Sequence, residues 1–150
     1  MRVKKIKEGI KNITFYVPEK VQFIERPIVN EDISAGFPSP AEDFKEVRIS
    51  LDKELITNED ATFYARVRGN SMIDANIEDG DLLVIDRSIE TRDGKIAVCM
   101  IDGEFTVKRL KVEKGCVYLM PENKTYKAIK VTEENELIVW GIVTYVIKKV

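Results

Sequence analysis

The chain has 150 residues, 44% of them apolar and 33% charged, with a formal net charge of −2. That is one domain's length and enough to bury a core, while the slightly acidic balance excludes a global positive field that would draw the protein to nucleic acid. No run approaches the roughly 20 apolar residues of a membrane span, and no apolar stretch follows the basic start Met1-Arg2-Val3-Lys4-Lys5 as a signal peptide requires, so the expectation is a cytoplasmic protein without a membrane partner.

Residues 1–35 mix Lys, Glu, Ile and Val without a sustained period and are interrupted by Pro18 and Pro27. They read as an extended arm with short strands at Thr14–Val17 and Val21–Ile24. No pair of amphipathic helices occurs there, so a helix-turn-helix, and with it sequence-specific binding to a duplex operator, is not expected. Ala35-Gly36-Phe37-Pro38-Ser39-Pro40 marks a boundary, since two prolines in three residues favour an extended or turn conformation. Ser39, Pro40 and Glu42 then form a helix-start pattern, with Phe44, Val47 and Leu51 as the apolar face of a short helix.

From Thr62 the pattern is β. Strands are expected at Thr62–Arg68, Asp81–Asp86, Lys95–Ile101, Glu104–Leu110, Cys116–Met120, Lys127–Val131 and Leu137–Ile147, with Asp102-Gly103 as a type I′ hairpin turn. Further turns fall at Glu78–Asp81 and Arg92–Lys95. Many short strands with frequent turns predict a mainly β fold, a compact curved sheet or partial barrel over residues 36–150 preceded by the arm. The apolar content of Leu137–Ile147, with Ile138, Trp140, Ile142, Tyr145 and Ile147, is large for an end segment and fits either the core or a homodimer face.

The chemistry-bearing residues are few. Cys99 and Cys116 are isolated thiols without a CxxC or any histidine, and they read as small core residues rather than metal ligands, so no metal or cofactor is expected. The chain contains no histidine at all. A catalytic serine here therefore needs a base other than imidazole, and a desolvated lysine is the established substitute. Ser71, in Gly69-Asn70-Ser71-Met72, has either that role or the plainer one of capping the segment Met72–Asn76. Gly69 suits a close approach of another chain, and N–H groups beside Ser71 suit an oxyanion. Lys108 lies 37 residues further on. In the alternation of Glu104–Leu110 it shares a face with Thr106 and Leu110, and alternation alone makes it a solvated lysine.

Four segments in order carry a resemblance: Ala35–Pro40, Gly69-Asn70-Ser71-Met72-Ile73-Asp74, Ile77-Glu78-Asp79-Gly80-Asp81-Leu82-Leu83-Val84, and Asp102-Gly103-Glu104-Phe105-Thr106-Val107-Lys108-Arg109-Leu110. Over residues 35–110 the chain resembles the LexA/UmuD group of self-cleaving Ser-Lys peptidases, and within it the UmuD-like members. The resemblance implies Ser71 as nucleophile, Lys108 as base, backbone N–H groups of Asn70 and Ser71 as oxyanion donors, and Ala35–Gly36 as the bond cut, removing residues 1–35. It also implies a RecA–single-stranded DNA filament as the stimulus, a homodimer, and a Y-family, UmuC-like DNA polymerase as the partner of the processed form. Two departures stand out. The arm is longer than in UmuD-like proteins, and Ala35 is the LexA-like choice where those proteins can carry cysteine. Other readings are a non-catalytic dimeric binding module of the same fold, or a repressor-type regulator lacking its DNA-binding domain.

Overall fold

A computed structural model of the chain describes residues 3–8, 13–18, 24–28 and 47–150. Within them the architecture is antiparallel β. Strands β1 (Val3–Glu8), β2 (Ile13–Pro18), β5 (Thr62–Val67), β6 (Leu82–Asp86), β7 (Ile96–Ile101), β8 (Glu104–Glu113), β9 (Cys116–Met120), β10 (Ile129–Lys130) and β11 (Leu137–Ile147) form one sheet. Its order is β1-β2-β5-β6-β11-β7-β8-β9-β10, so the two ends do not meet and the sheet is not closed into a barrel. A separate two-stranded ladder joins β3 (Glu25–Ile28) to β4 (Val47–Ser50).

The expected strands from Thr62 onward are present, with two changes of length greater than one residue. β8 runs on to Glu113 because Lys114 (φ 50°) and Gly115 (φ 76°) form a second tight turn into β9, of the same backbone class as Asp102 (φ 48°) and Gly103 (φ 81°). The strand expected at Lys127–Val131 shrinks to the two-residue β10.

The arm differs more. β2 covers the expected Thr14–Val17, but the next strand is Glu25–Ile28 rather than Val21–Ile24; of the latter, 21–23 lie outside the described residues. The expected helix face of Val47 and Leu51 is overturned: Val47 belongs to β4, and helix α1 (Leu51–Leu55) starts only afterwards. Ser50 is its N-cap, its Oγ accepting from the Lys53 N–H at 3.4 Å. β-branched Val47 and Ile49 satisfy their backbone in the ladder with β3, a long-range pairing that a local helix-start pattern does not reveal. Ser39, Pro40, Glu42 and Phe44 lie outside the described residues, as do Ala35 and Gly36.

The core is split by the sheet. One cluster gathers Phe15, Ala65, Val67, Met72, Ile77, Leu83, Ile85, Val98 and Val107. A second, around Ala97, Cys99, Leu110, Leu119 and Ile142, lies against β7, β8 and β11. β11 threads between β6 and β7, with register shifts across Trp140 and Thr144 that let one long strand serve both neighbours. Gly141 sits at the first shift, where a Cβ would come within 2.5 Å of the Ile85 side chain. No helix among the described residues is long and apolar enough to cross a membrane.

Candidate active site

The loop after β5 carries Ser71. Gly69 enters it with φ 93°, a region that disfavours L side chains. A Cβ there would meet nothing within 4 Å among the described residues, so within them it is the backbone conformation that calls for glycine. Its N–H donates to Asp79 Oδ1 at 2.8 Å, which ties the loop to the turn before β6. Met72, 2% exposed, anchors the loop in the core and is itself the N-terminal cap residue of the short 3-10 turn Ile73–Ala75. Ser71 is therefore not the cap, and its hydroxyl is engaged elsewhere.

That engagement is with Lys108. Its Nζ lies 3.1 Å from Ser71 Oγ, 2.7 Å from Thr106 Oγ1 and 3.0 Å from the Val107 carbonyl oxygen. The alternation reading of Lys108 as a solvated side chain is overturned: it is 8% exposed. β8 is covered on both faces over its middle, Val107 entering one core cluster while Leu110 enters the other, so around Lys108 neither half of the alternation points to water, although Lys111, Val112 and Glu113 are exposed.

Burial also sets the charge. Lys108 makes no ion pair with a carboxylate among the described residues, and burial pushes its pKa below the ordinary 10.5, opposed by the negative charge that Cys99 carries as a thiolate. Cys99 is itself fully buried, and burial raises its thiol to about 11, with Lys108 pulling the other way. At neutral pH Cys99 is thus an uncharged thiol and does little to keep the lysine protonated. The Val107 carbonyl can only accept, and the Thr106 hydroxyl is free to accept. A neutral amine donating its two N–H bonds to them turns its lone pair toward the Ser71 hydroxyl, the arrangement a general base needs.

The cleft in front of these groups measures about 140 Å³ and is lined by Gly69, Asn70, Ser71, Met72, Lys108 and Tyr126, among others. Among the described residues the N–H groups of Asn70 and Ser71 donate to no acceptor. They border this cleft and are available to an anionic oxygen.

Sequence reasoning missed the loop that holds the serine in place. Between β9 and β10, the Glu122 N–H donates to the Ser71 carbonyl at 2.8 Å and the Asp74 N–H to the Glu122 carbonyl at 2.7 Å. Asn123 Nδ2 donates to the Asn70 carbonyl at 2.7 Å, while its Oδ1 accepts from the Thr125 N–H at 3.0 Å. Arg109, the residue after Lys108, pairs through Nε with Glu122. The signal available was the polar run Glu122–Thr125 after Pro121, an Asx-turn pattern; its partner, Asn70, is 53 residues away. No group of His, Cys, Asp and Glu able to hold a metal occurs among the described residues.

The model of the Peptidase S24-like family matches residues 27–144. Protein MucA of Salmonella typhimurium is 42% identical over 121 residues, covering 79% of this chain and 82% of that one. Protein ImpA of Salmonella typhimurium is 40% identical over 83% of this chain and 84% of its own length. The LexA repressor of Alcanivorax borkumensis is 39% identical over 79% of this chain but only 56% of its own. A UmuD-like chain of the LexA/UmuD type was expected from four short segments, and matches across most of the chain establish that it belongs to the Peptidase S24-like family.

Proposed function

We propose that the protein is a self-cleaving serine peptidase in which Ser71 is the nucleophile, Lys108 the base, and Ala35–Gly36 the bond cut. The observation that carries this reading is a buried lysine amine 3.1 Å from a serine hydroxyl with no carboxylate beside it among the described residues. Neutral Lys108 takes the Ser71 proton as Oγ attacks the Ala35 carbonyl carbon. The oxyanion is received by the N–H groups of Asn70 and Ser71. The C–N bond then breaks, Lys108 returns the proton to the Gly36 amine, and water releases the Ala35 carboxylate from Ser71. Residues 1–35 leave and residues 36–150 remain. The small side chains at Ala35 and Gly36 allow a tight bend into the cleft.

The processed form acts in the cytoplasm, without binding a specific duplex, as a homodimeric accessory subunit of a Y-family, UmuC-like DNA polymerase, and a RecA–single-stranded DNA filament stimulates the cut. Relatives named MucA, ImpA and LexA repressor support that setting. The dimer face is the exposed end of β11, where Tyr145 is 42%, Val146 37% and Ile147 37% exposed.

The test is incubation of purified chain from pH 7 to 10 with intact-mass analysis. Because the folded pKa of Lys108 lies below 10.5, the neutral fraction grows with pH and the rate should climb and then level off before that value. Ser71→Ala and Lys108→Ala should each stop the appearance of the 36–150 fragment while the chain stays folded. Normal cleavage in both would refute the assignment.

A further inference from the structure

β2 ties the arm to the body of the protein through both faces of the sheet. Phe15 pairs with Ala65 in the β2–β5 ladder and is 4% exposed. Its ring centroid lies 4.7 Å from that of Phe105 and 4.6 Å from that of Trp140. Tyr16, opposite Tyr64, packs on the other face against the cluster of Ile56, Tyr64 and Val84. The Phe15 seat is held by its own neighbours. Trp140 stacks edge-on to Phe63 at 4.9 Å, and the Arg87 guanidinium lies 4.7 Å over its ring while Arg87 Nε donates to the Trp140 carbonyl at 2.9 Å. The small side chain of Ala65 leaves room for a ring above β5.

β5 is bonded to β6 on its far side. Taking β2 away makes β5 an edge, with unpaired backbone N–H and C=O groups beside an uncovered aromatic seat. Such an edge takes extended peptides by strand addition, the main chain supplying affinity and alternate side-chain seats supplying specificity.

We propose that β5 is a strand-acceptor site: β2 fills it in the intact chain, and an extended strand of a partner protein, bearing two consecutive aromatic residues, fills it once the arm has gone. The present occupant, β2, defines that chemistry, one ring to each face of the sheet at adjacent positions. Opening of the site by cleavage rests on the proposed self-cleavage; the site itself does not.

The two are separated by working in the full chain carrying Ser71→Ala, where the arm stays attached. The probe is a labelled peptide of residues 11–20. Adding Phe15→Ala to that chain should strengthen peptide binding at least about tenfold over the parent, whose tethered β2 competes at high effective concentration. Phe15→Ala in the peptide should weaken binding by about the same factor. Amide exchange across Thr62–Val67 should quicken in the variant chain and slow again on peptide addition. Should Phe15→Ala fail to fold, Phe15→Leu, which keeps the core filled, is read in the same way. Equal binding by parent and variant chains, equal binding of the two peptides, or unchanged β5 exchange each overturns the proposal.

Discussion

Two lysines on this sheet end in opposite chemical states. Lys108 on β8 is buried among a hydroxyl, a carbonyl and a serine, and its pKa is lowered. Lys148, just past β11, bonds Asp81 and Glu78, and its pKa is raised, above all by the hydrogen bond to Asp81. Asp81 is 5% exposed and also accepts from the Glu78 N–H at 2.8 Å, so that cluster closes the turn between the Ser71 loop and β6. The same residue type thus has its pKa lowered in one region and raised in the other. Loss of hydration without a counter-charge favours the neutral amine; a carboxylate within contact favours the ammonium.

The comparison breaks most sharply if a carboxylate is carried to Lys108. Thr106→Asp places one where the hydroxyl now sits, 2.7 Å from Nζ. An opposite charge at that range raises a lysine pKa by about one to three units, so cleavage at pH 7 should fall roughly 10- to 1,000-fold and recover as pH rises. A pH–rate profile displaced to higher pH with unchanged thermal stability is the expected record; an unmoved profile would detach the rate from the charge on Lys108.

A middle-sized effect should follow Asn123→Ala. That change frees the Asn70 carbonyl, and with it the orientation of the Asn70 and Ser71 N–H groups, without touching Lys108. The rate should drop about tenfold, as a small misplacement of reacting groups does, with the pH profile unmoved. A shifted profile would mean that Asn123 acts on the lysine instead.

The smallest effect belongs to Lys148→Ala. Its side chain is partly exposed, and the buried Asp81 keeps the Glu78 N–H as a donor, so the cleavage rate and its pH dependence should match the parent, with a modest fall in melting temperature read by calorimetry. A large loss of cleavage would show that the Asp81 turn transmits to the Ser71 loop through Asp79 and Gly69.

Linkage gives an independent check on Lys108. Its folded pKa lies below the unfolded one, so the unfolded chain holds more protons on this group. Its contribution to stability should therefore increase as pH rises through the window up to 10.5, and Lys108→Met should flatten that part of the stability curve.

Much of the fold was legible because its signals are local. Period-2 alternation from Thr62 onward, and a glycine turn at Asp102-Gly103, are properties of adjacent residues, and they placed β5 to β11 of the large sheet, though not β1. So was the choice of Ser71 and Lys108 as residues to examine, since a chain without histidine leaves few bases and the flanking segments resemble a family that uses these two. The rest depended on partners distant in sequence. Val47–Ser50 became a strand only by pairing with Glu25–Ile28. Asn123 met Asn70 across 53 residues, and Phe15 found its seat between Phe105 and Trp140. Above all, alternation along β8 shows which residues share a face, but not whether that face meets water. Covering both faces of the middle of β8 placed Lys108 where hydration is lost and no counter-charge replaces it among the described residues, and that environment, not the residue type, lowers its pKa.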